Sequence, residues 1–193
     1  MAALAQLQKQ HSDFAAALFY DYQLNDQFVQ LHIVQDATNP DFVVNFLTTY
    51  FKESERMLNE MHVALENPVV DYKIVRQLAH KLRGSSASVG AFRVTETCSA
   101  FRGLIDLQNL QGLKQCLYRA HYENKTLKKH LEVLFKLEKK IKEAGGTVPP
   151  LNSEPPRPDP AADQAQPDTG SGAASSSGNN APSLGNAGQS SRT

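Results

Sequence analysis

Apolar positions over residues 1–146 recur at steps of three and four, the spacing that gathers side chains on one stripe of an α-helix. Val43, Phe46, Leu47, Tyr50, Met57, Leu58, Met61 and Leu65 mark one such stripe. Asn39-Pro40 ahead of it predicts the helix start, because Asn can cap and Pro is tolerated at the first helical position. Asn67-Pro68 ends it. A second helix is expected over about 71–88, punctuated by Gly90, and a third carries Val94, Cys98, Phe101 and Ile105. The last begins near Gly112, runs through Leu113, Leu117, Leu127, Leu131, Leu134 and Ile141, and closes at Gly145-Gly146. Two shorter helices, roughly 3–22 and 26–35, come first. No strand-like alternation competes. Short connections favour antiparallel neighbours, so the expected fold is all-α: an antiparallel four-helix bundle with two additional N-terminal helices.

One short stretch breaks the amphipathic rule. At 100° per residue, Phe28, Val29, Leu31, Ile33 and Val34 point all round the helix axis. Such a helix is either buried on every side or leaves an apolar face for a partner, and the pattern alone does not choose. On the second alternative Phe28 and Leu31 are candidate docking residues.

Composition changes after Gly146. Eight of the ten prolines lie between Pro149 and Pro182, and no aromatic residue follows Phe135. A chain this rich in Pro, Ser, Gly, Ala and Asn cannot bury enough apolar area to offset the entropy of ordering it. The sequence therefore divides into a helical domain over 1–146 and a disordered low-complexity tail over 147–193.

Charge and cysteine content narrow the function. Lys+Arg and Asp+Glu both total 20, so the formal net charge is zero. Nucleic-acid binders need a basic surface to displace counterions, and that class is not expected here. The two cysteines, Cys98 and Cys116, sit inside helical apolar patterns with no CxxC spacing, and read as buried thiols. The histidines at 11, 32, 62, 121 and 130 have no histidine or cysteine partner at i+3 or i+4, so no metal site is expected. No run approaches the ~20 apolar residues of a membrane span, and the start lacks a secretory pattern. A chain without membrane association, monomeric because no long apolar stripe is left over, is the expectation.

The remaining histidine, His80, is different. The buried face of its helix is marked by Val75, Leu78, Leu82, Ser85 and Val89, whose centre lies about 180° from His80. His80 is thus expected to face solvent, against the usual reading of a lone histidine as a core residue. Its neighbours on the outward face are Lys73, Arg76, Arg83, Gly84 and Ala87. The charged ones are all basic. Gly inside an exposed helix costs ~1 kcal/mol relative to Ala, so Gly84 needs a reason, and access to the imidazole supplies one. A neutral imidazole is a competent nucleophile, and phosphoryl transfer asks mainly for positioning and charge neutralisation. Lys81, Arg83 and Arg76 are the candidates to balance the phosphoryl charge, Arg83 with a bidentate fork. The competing reading is an ordinary solvated helix face.

The string from His80 to Ala91 (HKLRGSSASVGA) resembles the phosphoacceptor motif of plant histidine-containing phosphotransfer proteins. The segments at 7–14 (LQKQHSDF), 34–43 (VQDATNPDFV), 98–102 (CSAFR) and 131–146 (LEVLFKLEKKIKEAGG) are similar to family segments in family order. The resemblance spans residues 1–146 and stops at the tail. It implies a helical phosphocarrier that is not itself an enzyme with a kinase domain. His80 would accept a phosphoryl group from the receiver domain of a hybrid sensor histidine kinase and pass it to an aspartate of a response regulator. It further implies a place in cytokinin signalling, residence in cytoplasm and nucleus, and no cofactor of its own, with magnesium belonging to the receiver partner. Gly84 matches the family's small residue, Arg83 stands where lysine is usual, and Lys81 replaces the usual glutamine. Two other readings stay open. His-Lys-Leu-Arg also resembles the phosphoacceptor box of sensor kinases, although only 47 residues follow Gly146, too few for an ATP-binding domain. A helical adaptor or decoy that binds receivers without accepting phosphate is the other.

Overall fold

The computed structural model describes residues 2–35 and 38–152. The expected tail falls almost wholly outside them. Six helices follow in order: α1 (Ala2–Tyr20), α2 (Asp26–Val34), α3 (Phe42–Glu66), α4 (Tyr72–Ser88), α5 (Phe92–Asp106) and α6 (Leu110–Glu143). Among the described residues the only β-type pairing is an isolated bridge between Leu24 and Ala91. Helices α3, α4, α5 and α6 pack in a closed ring of neighbours, α3 on α4, α4 on α5, α5 on α6 and α6 on α3. That is the antiparallel four-helix bundle. Helix α1 lies along α6 and α2 touches α4.

The helix ends show where local chemistry overrode the expected boundaries. Helix α3 starts at Phe42 and not at Asn39-Pro40, because the Phe42 N–H closes a turn onto the Asn39 carbonyl. The Gln35 side chain then accepts from the Val43 N–H at 3.1 Å, so the cap comes from the end of α2. Helix α6 starts before Gly112, with Asn109 as the cap accepting from the Gly112 N–H at 2.9 Å. Helix α1 stops at Tyr20, and Tyr22 takes a left-handed turn with φ 55°.

The bundle interior is apolar, with Leu47, Leu58, Met61, Leu82, Phe101, Leu113, Leu131 and Leu134 nearly inaccessible. Two buried polar pairs pin neighbouring helices. Tyr50 Oη and Ser86 Oγ lie 3.0 Å apart between α3 and α4, and Ser54 Oγ donates to Asn124 Oδ1 at 3.2 Å between α3 and α6. The first corrects the expected stripe of α4. Ser86 is wholly buried and Ser85 only partly, because the Tyr50 hydroxyl offers Ser86 a partner inside the core.

Helix α2 resolves the ambiguity of its all-round apolar pattern. Phe28 is fully buried and Leu31 nearly so, whereas Ile33 and Val34 are about two-thirds exposed, at 68% and 67%. Phe28 and Leu31 are therefore core residues and unavailable as surface docking contacts. The reason is the turn at Gly90. With φ +74°, Gly90 takes a conformation that L residues rarely adopt, and its carbonyl accepts from the Asn25 N–H at 3.1 Å. A Cβ at Gly90 would stand 2.5 Å from the Phe28 nitrogen. The absent side chain lets α2 press onto the end of α4 and drives Phe28 into the core. Beyond α6, Thr147 accepts from Gln8 Nε2 at 2.8 Å and Leu151 packs partly against the core, so packed chain continues past Gly146.

Candidate phosphoacceptor site

Helix α4 is anchored at its start by Asp71, whose carboxylate accepts from the Lys73 and Ile74 N–H groups at 3.0 and 3.1 Å. Val75, Leu78, Ala79 and Leu82 fix its inner face. The rotation that buries these four turns His80 outward, and His80 is exposed as expected. Neither of its ring nitrogens has a hydrogen-bond partner among the described residues.

His80 stands on the wall of a groove of about 640 Å³ between α4 and α5. The floor is apolar, formed by the buried Cys98, Phe101 and Ile105. The rim carries three guanidinium groups, Arg76, Arg83 and Arg102, and no carboxylate lines the groove. Arg83 Nε donates to Ser99 Oγ at 2.9 Å. Arg76 is paired with Asp106, the last residue of α5. The pair holds the Asp106 carboxyl below the usual carboxylate range, chiefly through the Arg76 hydrogen bond, with Arg102 adding to the effect. Because α4 and α5 run antiparallel, Ser99 and Asp106 stand opposite Arg83 and Arg76, and Arg102, between them on α5, shares the groove with His80.

The candidate residues sort accordingly. Arg76 and Arg83 share the groove with His80. Lys81 does not. It is exposed, but one residue on means about 100° around the helix, and it lines no part of the groove. Gly84 is exposed, and a Cβ there would meet nothing within 4 Å. No internal contact therefore demands glycine at 84. Ala87 continues the same small-residue strip and is exposed. Arg102 and Ser99 were not among the residues singled out from sequence. Their signal was present as polar residues at 99, 102 and 106, a three-and-four step alternating with the apolar stripe of α5.

The other histidines are placed differently. His11 is fully buried, with Nε2 3.5 Å from Glu138 Oε1. His32 Nδ1 sits 3.0 Å from the Phe28 carbonyl, and burial lowers its pKa. Burial also lowers that of His121. His130 Nδ1 lies 2.6 Å from Gln23 Oε1. His62 is exposed on α3, but its surroundings are the Glu66–Lys114 ion pair at 2.8 Å and His121, with no guanidinium. Only at His80 does a solvent-facing imidazole meet a ring of arginines. Burial pushes the Cys98 thiol up to about 12 and Cys116 to about 11, so neither is a thiolate nucleophile near neutral pH. Among the described residues no three His, Cys, Asp or Glu side chains converge as a metal site, and no helix is long and apolar enough to cross a membrane.

A helical bundle that presents an exposed, unpartnered imidazole in a groove rimmed by arginines fits a phosphohistidine carrier. The comparisons with known proteins agree. The family model described as Hpt domain matches residues 45–135, which bracket His80. The chain is 42% identical over 146 residues to histidine-containing phosphotransfer protein 1 of Arabidopsis thaliana, covering 76% of this chain and 95% of that one. A solved histidine-containing phosphotransfer protein of Medicago truncatula superposes with a TM-score of 0.71 at 44% identity, covering 76% of this chain and 100% of that one. The chain belongs to the plant histidine-containing phosphotransfer proteins, phosphocarriers of two-component phosphorelays that interact with receiver domains. Pseudo histidine-containing phosphotransfer protein 6 of Arabidopsis thaliana is also 36% identical over 146 residues. Overall similarity is thus shared with a pseudo histidine-containing relative, and what distinguishes a carrier lies in the residue at position 80, which here is histidine.

Proposed function

We propose that this chain is an active carrier that takes a phosphoryl group on His80 from the aspartyl phosphate of a sensor kinase's receiver domain and delivers it to an aspartate of a response regulator. The observation that carries this reading is the free, exposed imidazole of His80 in a groove rimmed by Arg76, Arg83 and Arg102. In the first step a ring nitrogen of His80 attacks phosphorus and forms an N–P bond. The acyl phosphate P–O bond breaks, the aspartate leaves as carboxylate, and the imidazole N–H proton passes to solvent. The second step reverses this on another receiver. The cations on the rim offset the negative charge of the group in transit, and the fixed helix face supplies orientation. Magnesium, on this reading, is held by the receiver. Gly84 leaves room for the receiver's active site beside the imidazole, and Ala87 does the same a turn further on. The carrier, on this reading, acts in cytokinin signalling, in cytoplasm and nucleus, and its similarity to the plant relatives supports that assignment.

The test mixes a receiver domain carrying labelled phosphate with the wild-type chain and with His80→Gln. Label on the wild type alone, in an acid-labile and alkali-stable bond, supports the carrier. Binding without transfer from several receivers makes the chain an adaptor or decoy instead.

A further inference from the structure

The groove holds three guanidiniums and one imidazole on its rim, yet Asp106, just outside its lining, claims one of those cations by pairing with Arg76. Arg76 lies one turn before His80, a spacing that puts their Cβ atoms within about 6 Å of each other. Helical side chains lean towards the N-terminus, so Arg76 leans away from His80 and onto the end of α5, where Asp106 receives it. Arg102 also feels the Asp106 charge. Arg83, held by a neutral hydroxyl, has no such competitor. The Arg76–Asp106 pair is half exposed on both sides, at 47% and 55%. Exposed pairs of this kind are weak and exchange readily, whereas a phosphoryl dianion offers more charge and three acceptor oxygens to the same fork.

We propose that Asp106 is a positioning residue that competes with the phosphoryl group on His80 for the guanidinium of Arg76, and so sets how strongly the groove holds its cargo. This rests on His80 being the phosphoacceptor. With His80 free, Asp106 keeps Arg76 parked at the bundle end. With His80 phosphorylated, Arg76 divides between the two anions, and the carrier grips the group less tightly than three free guanidiniums would. A carrier must release what it takes, and an internal competitor favours release.

The experiment phosphorylates the full chain with phosphoramidate, which needs no partner protein. A His80 ring nitrogen forms the N–P bond, the P–N bond of phosphoramidate breaks, and ammonia leaves, taking the imidazole proton as ammonium. Phosphorus NMR then follows the second ionisation of the phosphoryl group between about pH 5.5 and 8.5, since guanidiniums nearby favour its dianion. Asp106→Asn is expected to lower the midpoint by about half a unit, roughly a threefold gain in the dianion-to-monoanion ratio at a given pH. Asp106→Glu, which keeps the competing charge, is expected to stay near the wild type. In Arg76→Gln with Asp106→Asn the downward shift is expected to vanish. A midpoint unchanged by Asp106→Asn, or a shift that persists in the double variant, overturns the competition while leaving the carrier intact. Failure of phosphoramidate to label position 80 overturns the carrier reading and this inference with it.

Discussion

His80 and His32 are imidazoles on helices of one bundle, and the fold treats them in opposite ways. His32, at the end where α1, α2 and α6 meet, has Nδ1 on the Phe28 carbonyl, its ring 4.5 Å from the Phe28 ring, and a pKa lowered by burial. His11 beside it is fully buried against Glu138. These side chains are held by packing and serve packing. His80 is exposed, with no hydrogen-bond partner on either ring nitrogen among the described residues and arginines for neighbours. The difference teaches that a carrier's histidine is recognised by access and company. His32 also leaves one ring nitrogen without a partner but keeps it buried, whereas His80 is exposed among arginines.

The most direct way to break that contrast is to exchange the roles. His80→Gln should abolish labelling from a phosphorylated receiver while thermal unfolding moves by less than about 0.5 kcal/mol, because an exposed helix residue contributes little. Retained labelling would put the phosphoryl group elsewhere, with His62 the next exposed imidazole to try. At the other region, Phe28→Ala should cost about 3–5 kcal/mol in urea unfolding, the usual range for emptying a buried aromatic site. Transfer should survive at temperatures where the variant stays folded, and slowed transfer with full stability would return Phe28 to the docking surface.

Acid sharpens the comparison further. Burial keeps the pKa of His32 and His121 in the fold below that in the unfolded chain, so as pH falls the unfolded chain binds their protons first. Their contribution to stability is complete above about pH 6.5 and declines below it, by at most ~1.4 kcal/mol per pH unit for each group. Melting temperatures at pH 7.5 and pH 5 in wild type and His32→Gln check this, and a variant with the same acid slope as wild type would show His32 to be solvated. The smallest effect is at Gly84. Since a Cβ there meets nothing, Gly84→Ala should raise stability by ~1 kcal/mol while slowing transfer from a receiver. A loss of stability would mean that the glycine serves the bundle after all.

The periodicity of the long helices made the bundle legible, because a three-and-four repeat sustained over many turns has one economical solution. The rotation of α4 was legible for the same reason, and with it the exposure of His80. What the pattern could not reveal was set by contacts between distant residues. The shift from Ser85 to Ser86 depends on the Tyr50 hydroxyl across the core. The start of α3 depends on the Gln35 side chain, and the burial of Phe28 on the approach that Gly90 permits. Arg102 and Ser99 escaped notice because they join the site from the antiparallel neighbour, and one-helix geometry says nothing about what lies across a groove. Lys81 shows the converse, since adjacency to His80 in sequence does not bring it into the groove.

Because the space over Gly84 is empty within the protein itself, the position works as a feeler gauge. Side chains of increasing reach placed there, alanine, then valine, then phenylalanine, would each shorten the clearance over the imidazole by a further step, starting from a Cβ that meets no neighbouring atom within 4 Å. The length at which a given receiver is first shut out would measure, in ångströms, how closely that receiver seats on the helix. Different receivers, sized against the same series, would then be ranked by fit without a structure of any complex.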